Sequence, residues 1–391
     1  MIRATVIAAV LAAMSLSAVQ ARAEASVGLA AKVQDLLADF YEVYDFPGAT
    51  VAVALPDGRV LDAAIGLADV EANLPMTPAT RMLAASVGKT IVGALVLSLE
   101  SEGVLDRDDL ISQYLQDAEW FGGLPHAEVI KVRHLLNHSS GLLDHVHIDG
   151  VAAQMIAAGS SGHMRPEQAI AFVLNTQPLF EPGQAWSYTD TGYLLLGLVI
   201  EKATGRDFYD LASERLFSGL MLDDTAPSVT PSIEGLAIGY TFEGNPFGLP
   251  QRTNTEDGAL LWNPAVEWTG GGFVSTAHDL ARWGQALFTG KAMAAPYLDR
   301  LLDGVPVDAD APDLLYGSGV AIYRDTPLGP VYGHGGWIPG YVTSLRHYGD
   351  HAITIAFQIN TDVGIADDSS DLVPALEAAL AELLVGSKDT E

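Results

Sequence analysis

The chain has 391 residues, 49% of them hydrophobic, enough apolar material for one large domain or two intimate ones. Its formal charge of −29 repels phosphate backbones and anionic lipid, which argues against nucleic-acid partners and peripheral membrane binding. Cysteine is absent, which removes disulfides, thiolate catalysis and cysteine-ligated zinc.

Residues 1–23 carry Arg3, an apolar and small-residue run from Val6 to Val19, and an A-x-A site at Ala21-Arg22-Ala23. That pattern predicts a secretory signal peptide cleaved after Ala23, hence a periplasmic or secreted protein. The run is short for a spanning helix and nothing later reaches transmembrane length, so no stable membrane insertion is expected after cleavage. From Val27 to Tyr44, Leu29, Val33, Leu36, Leu37, Phe40 and Val43 recur in a helical rhythm. Gly48 to Leu55 reads as a strand, Pro56-Asp57-Gly58 as a turn and Arg59 to Ile65 as the return strand of a hairpin. Gly66 to Arg81 reads as a loop. Ala84 to Glu100 is apolar on every helical face and so predicts a buried helix, which Gly103 ends. Leu105 to Asp109 reads as the start of a further short helix.

Between there and Thr269, helices and long loops are expected. Val132–Asn137, Pro166–Asn175, Thr191–Thr204 and Phe208–Leu216 are the helical segments, and Thr225–Asn263 is a loop-dominated excursion. Gly270–Ser275 then gives a short strand and Thr276–Leu287 a capped helix. Tyr316–Arg324, Pro330–His334, Val342–Tyr348 and Ala352–Gln358 predict an antiparallel meander, followed by a closing amphipathic helix at Leu372–Leu384. Strands at both ends can share a sheet only if the helical part is inserted between them. The expectation is an α+β fold, an antiparallel sheet flanked by helices, built from about 24–100 and 270–391. An all-α lobe over about 101–269 is inserted into it, with a cleft where the two meet.

Three segments carry chemistry. Lys89 is the only charge between Ser86 and Leu99, and a buried ammonium must be paired, neutralised or at work. Ser86 lies three residues earlier on the same helical face, one turn from that amine, which is an arrangement that activates a hydroxyl nucleophile. Of the six lysines, only this one has a serine three positions before it. Tyr188, at the entry to the apolar helix from Thr191, can exchange protons if a cation acts on its phenol. It also fits an aromatic packed at a loop corner, with Asp190 capping the helix. His334-Gly335-Gly336-Trp337 lies on an edge-strand candidate, where paired glycines admit a substrate backbone and a free N–H can meet an oxyanion.

Ser86-x-x-Lys89, Tyr188-Thr189-Asp190 and His334-Gly335-Gly336 occur in the order and at roughly the spacings of S-x-x-K, Y-x-N and [KHW]-x-G. The chain thereby resembles the class C β-lactamase and serine DD-carboxypeptidase superfamily of penicillin-binding-protein-like hydrolases. His134–Leu142 and Gly270–Ala277 also resemble recurring segments of that superfamily, so the likeness covers nearly the whole chain after residue 23. It implies Ser86 as acyl-accepting nucleophile, Lys89 as its cationic or basic partner and Tyr188 as the proton shuttle. It further implies the backbone N–H groups of Ser86 and Trp337 as oxyanion hole, and His334 as the residue that adjusts the field at Tyr188 and helps hold substrate, with Asp190, Gly335 and Gly336 beside the substrate. No metal or organic cofactor is implied.

Two positions depart from the pattern. Asp190 replaces the usual asparagine, which adds an anion that holds Lys89 protonated, shifts base duty toward Tyr188 and removes an amide donor. Gly335 replaces a common threonine and so removes a hydroxyl that would bind a substrate carboxylate. The implied function is an exported serine hydrolase acting on a D-amino-acid peptide, such as a cell-wall peptide, or on a β-lactam. The alternatives are a short-chain carboxylesterase and a catalytically weak binding or sensor module. An α/β-hydrolase is excluded because no serine sits in G-x-S-x-G. The H-x-H-x-D run His145-Val146-His147-Ile148-Asp149 and the pair His134/His138 leave a metallohydrolase as a minor rival.

Overall fold

In the G-A-T-V-A-V-A strand β1 (Gly48–Ala54), small and β-branched residues alternate, and every one of its residues is buried. Successive side chains point to opposite faces. Ala49, Val51 and Val53 join a core with Val33 and Leu37 of the opening helix, residues 27–44, and with Leu376 and Leu380 of the closing helix, Leu372–Val385. Ala52 and Ala54 point the other way, into a core shared with Leu280 and Ala281 of helix Ala277–Phe288. A strand covered on both faces needs apolar residues at both parities, and β1 has them. The computed structural model describes residues 27–293, 296–366 and 368–386; the expected leader, residues 1–23, lies outside the described residues.

Around β1 are β2 (Val60–Asp69), β3 (Leu74–Pro75), β4 (Met82–Leu83), β5 (Ala226–Pro227), β6 (Phe273–Ser275), β7 (Val305–Asp308), β8 (Ala311–Tyr316), β9 (Ala321–Tyr323), β10 (Val331–Ile338), β11 (Tyr341–Tyr348) and β12 (Ile353–Ile359). The main sheet runs β3-β2-β1-β12-β11-β10-β9-β8-β7, antiparallel throughout. Pairing of Ala49 with Ile359 joins the two ends of the chain in one sheet, so the class is α+β with helices on an antiparallel sheet. A small sheet, β4-β6-β5, ties the approach to Ser86 to the segment after Gly270.

Three expectations need correction. Residues 66–81 are not simply a loop, because β2 continues to Asp69 and β3 pairs back on it. Leu105–Asp109 does not start a helix. The Asp109 carboxylate accepts from the Asp106 N–H and the Asp106 carboxylate from the Asp108 N–H, so the acidic side chains capture the backbone in a turn. Helix begins only at Ser112–Leu115. The stretch Tyr316–Arg324 is two strands, β8 and β9, separated at Gly317–Gly319, where Gly319 takes φ +76°.

That break serves the buried helix. A 3₁₀ turn, Ala85–Gly88, leads into helix Lys89–Ser101, in which ten residues are buried. A Cβ on Gly93 would lie 2.1 Å from the Ser318 carbonyl oxygen, so helix and strand corner meet backbone to backbone. We expect Gly93→Ala, which is neutral or favourable by helix propensity, to destabilise the fold by about 1–3 kcal/mol through overpacking, as read from a urea unfolding midpoint.

Candidate active site

Ser86 sits in the 3₁₀ turn just after Ala85, which holds φ +48°, a left-handed conformation that alanine adopts at a cost of about 1 kcal/mol. That kink turns the chain from β4 into the buried helix and leaves Ser86 partly exposed at its entrance. Lys89 opens the helix proper and has no exposed surface. Its Nζ donates to Ser86 Oγ at 3.0 Å, to the Asp190 carboxylate and to the Gly270 carbonyl. The three N–H bonds of an ammonium are thereby all used.

Tyr188 reaches the same hydroxyl from 102 residues away, its phenol donating to Ser86 Oγ at 2.8 Å. Two residues on, helix Asp190–Thr204 begins and presents Asp190 to Lys89. An aromatic wall backs Tyr188: the His138 ring lies 4.2 Å away centroid to centroid, and Tyr316 packs on His138 at 4.5 Å. Burial pushes Tyr188 up to about 12 against the pull of the Lys89 charge. Burial also works to lower Lys89, but the charges of Asp190 and Tyr188 reverse that and leave it raised above its ordinary value. At neutral pH the serine hydroxyl is therefore flanked by an ammonium and an un-ionised phenol.

The third segment arrives on β10. This strand is internal to the sheet order rather than an edge, which corrects the edge-strand expectation, yet β9 pairs only with Val331, Tyr332 and Gly333. A two-residue turn, Pro339-Gly340, joins Ile338 to Tyr341, so those two form the hydrogen-bonded pair and Trp337–Val342 the non-bonded one. The Trp337 N–H therefore points away from β11, toward the side that β9 has vacated. Gly336 lies against the serine turn, where a Cβ would be 2.5 Å from the Ala84 carbonyl and 3.3 Å from Ser86 N. Only glycine permits that approach. Gly335 is exposed and opens to solvent, with Arg346 the nearest group to its missing side chain at 3.9 Å.

His334 lies behind Tyr188, its ring 6.1 Å from the phenol ring, and shares a 2.7 Å hydrogen bond with the Tyr316 hydroxyl through Nε2. It lies in the aromatic wall rather than among the residues that line the cavity beside Ser86. The histidines of the H-x-H-x-D run diverge. His145 is buried and bonded to Thr191 Oγ1 at 3.0 Å, whereas the His147 side chain is 81% exposed. Among the described residues, no group of three or more histidines, aspartates or glutamates is placed to hold a metal ion.

Ser86 and Asp190 open onto a cavity of about 180 Å³ whose walls include Met155, Phe247, Leu261 and Ile338. Two acids of this region carry no motif letter and went unassigned by sequence. Asp144 accepts from the N–H groups of Val146 and Asp190, and burial, with the Asp190 charge added, pushes it up to about 7. Glu267 lines the cavity, and burial pushes it up to about 8 although Lys89 pulls the other way. The only sequence signal for Glu267 is a lone charge in the run Pro264-Ala265-Val266-Glu267-Trp268 ahead of three glycines.

The profile of the Beta-lactamase family matches residues 33–380. The chain belongs to the Beta-lactamase family. Penicillin-binding protein 4* of Bacillus subtilis (strain 168) is 28% identical over 346 residues, which cover 84% of this chain and 71% of that protein. A D-aminopeptidase of Brucella anthropi is 28% identical over 326 residues, 83% of this chain but 58% of the relative, so the chain spans under two thirds of that protein. The crystal structure of D-amino acid amidase from Ochrobactrum anthropi SV3 complexed with D-phenylalanine superposes with a TM-score of 0.76 at 25% identity, covering 91% of this chain and 98% of that one. Within the Beta-lactamase family this chain is thus a serine hydrolase.

The surroundings of Lys89 set a pH dependence of stability. Burial first, then the Lys89 charge, pushes His334 down to about 3. The unfolded chain protonates a histidine near 6.5, so between those values it binds a proton that the fold refuses. The contribution of His334 is intact above about pH 6.5 and is lost as pH falls toward 3, whereas the raised carboxyls Asp144 and Glu267 act in the opposite sense. We expect wild type to lose up to about 1.4 kcal/mol per pH unit relative to His334→Gln below pH 6, read from urea midpoints of both proteins at pH 7, 5.5 and 4.5.

Proposed function

We propose that the chain is an exported serine hydrolase that opens an amide or ester of a D-amino acid through an acyl-enzyme at Ser86. The observation that carries this reading is the single hydroxyl held at 3.0 Å from the Lys89 amine and 2.8 Å from the Tyr188 phenol. The cycle runs from the small fraction of enzyme in which Tyr188 has lost its proton to solvent; that phenolate, stabilised by the adjacent Lys89 ammonium, is the group that takes the serine proton. Ser86 Oγ attacks the carbonyl carbon as its proton passes to Tyr188. The oxyanion forms against the N–H groups of Ser86 and Trp337. Collapse breaks the C–N or C–O bond, and the leaving group departs with the proton from Tyr188. Water then attacks the acyl-enzyme, gives its proton to Tyr188, and Ser86 regains a proton as the acid leaves.

His334 acts at one remove in this scheme: neutral and bonded to Tyr316, it fixes the aromatic wall against which Tyr188 rests. The names of the relatives, a D-aminopeptidase and a D-amino acid amidase, support a D-amino-acid substrate. The absence of a hydroxyl at Gly335 weighs against strong β-lactam turnover. The apolar cavity walls favour a second reading, a carboxylesterase on short-chain esters.

Ser86→Ala is expected to abolish labelling by a fluorophosphonate probe. Lys89→Ala and Tyr188→Phe are each expected to lower kcat at least about a hundredfold on whichever substrate of a panel is fastest (D-amino acid amides, D-Ala-D-Ala peptides, nitrocefin, p-nitrophenyl esters). Near-normal turnover by Tyr188→Phe would refute the proton route, and labelling that survives Ser86→Ala would refute the nucleophile.

A further inference from the structure

A carboxylate sealed inside a protein needs a hydrogen-bond donor or a cation. One oxygen of Glu267 lacks both: its Oε2 is shut off from solvent and accepts no hydrogen bond, while the residue as a whole is partly exposed and lines the cavity beside Ser86. Lys89 does not answer it, because all three ammonium N–H bonds go to Ser86, Asp190 and the Gly270 carbonyl. The same cavity has a second orphan. Trp262 is 94% buried, and its Nε1 N–H has no acceptor. Two unanswered polar atoms in an otherwise apolar cavity mark a place for a polar group of the ligand.

The sign of that group follows from the charges. No lysine or arginine lines the cavity among the described residues, and its one histidine, His145, is pushed down to about 4 by burial and so is neutral. Arg346, beside Gly335, is tied to Glu377 at 3.1 Å. Asp190 faces the cavity as an acceptor where an asparagine would donate, and its charge balances Lys89, which leaves Glu267 as the uncompensated acid. A carboxylate on the substrate would find the Trp262 N–H but no cation, and would face Asp190 and Glu267, whereas an ammonium would find both acids.

We infer that Glu267, with Asp190 beside it, is a counter-charge site for a free ammonium on the acyl side of the substrate. The enzyme accordingly selects unacylated amino-acyl groups with apolar side chains over N-acylated or carboxylate-bearing ones. This rests on the serine-hydrolase reading above and adds to it a specificity-determining residue outside the three motifs. The apolar side chain of the substrate has Met155, Phe247 and Leu261 to pack against.

The test compares D-phenylalanine p-nitroanilide with its deaminated isostere, 3-phenylpropionyl p-nitroanilide, and with the N-acetyl derivative. The free-amine substrate is expected to have a kcat/KM at least about tenfold above either, mainly through KM. Glu267→Gln is expected to shrink that ratio at least about fivefold and Glu267→Asp to keep part of it, a change in selectivity that a purely structural role would not produce. A wild type that turns over the deaminated isostere as fast, or a ratio that Glu267→Gln leaves intact, overturns the assignment. Should Glu267→Gln fail to fold, competition on wild type decides: 2-phenylethylamine must inhibit p-nitrophenyl butyrate hydrolysis at lower concentration than 3-phenylpropionate, and the reverse order overturns the site. A protein that neither hydrolyses any ester nor labels at Ser86 fails at the serine-hydrolase reading and takes this inference with it. An active, labelled enzyme that ignores the amine fails at this inference alone.

Discussion

An ammonium with no exposed surface has to place all three N–H bonds inside the protein, and at Lys89 those bonds organise the site. One fixes Ser86 Oγ, one reaches Asp190 at the start of a helix 101 residues later, and one holds the Gly270 carbonyl from a third part of the chain. Removing an ion from water costs several kcal/mol even after relaxation, so this arrangement persists only because every bond is made. Three elements that share no sequence neighbourhood thereby meet at one point: the serine helix, the turn of Tyr188 and Asp190, and the Gly270 turn.

The same requirement accounts for the close backbone approaches around the serine turn. For β10 to bring the Trp337 N–H beside Ser86, Gly336 must touch the Ala84 carbonyl. The segment of Gly270 must press on the turn too, and a Cβ on Gly271 would lie 2.2 Å from the Ala85 carbonyl. Ala85 takes up the remaining strain at φ +48°. A hydroxyl positioned by backbone contacts on two sides has little freedom to move, which suits the nucleophilic role proposed for Ser86.

Legibility in the sequence followed the range of the forces involved. The i, i+3 spacing of Ser86 and Lys89 is a local fact, and an apolar run on every face already requires burial, so the serine helix and its lysine could be read directly. The β1 hairpin, the capped helix after Thr276 and most strands of the meander were legible for the same reason, since period and turn residues are local. Asp106 and Asp109 defeated the helix reading of their segment because side chain–backbone bonds compete with helix and leave no periodic trace. The free side of β10 was hidden differently: an internal strand can still expose donors if its neighbour is three residues long, which no pattern within β10 records. Glu267 was the least legible of all, because what distinguishes it is an absence of partners that only the assembled cavity creates.

That absence bears on how Asp190, Gly335 and Glu267 fit together. Asp190 presents an acceptor to the cavity, Gly335 offers no side-chain donor, and Glu267 adds an acid whose Oε2 has no partner. The three have a common electrostatic sense, and an acid with an unpartnered buried oxygen burdens the folded state. Burial already pushes Glu267 up to about 8, so the unliganded protein relieves most of that burden at neutral pH by keeping the proton. A ligand that brings a positive charge restores the ionised form, and the energy of that ion pair then appears in binding rather than in folding.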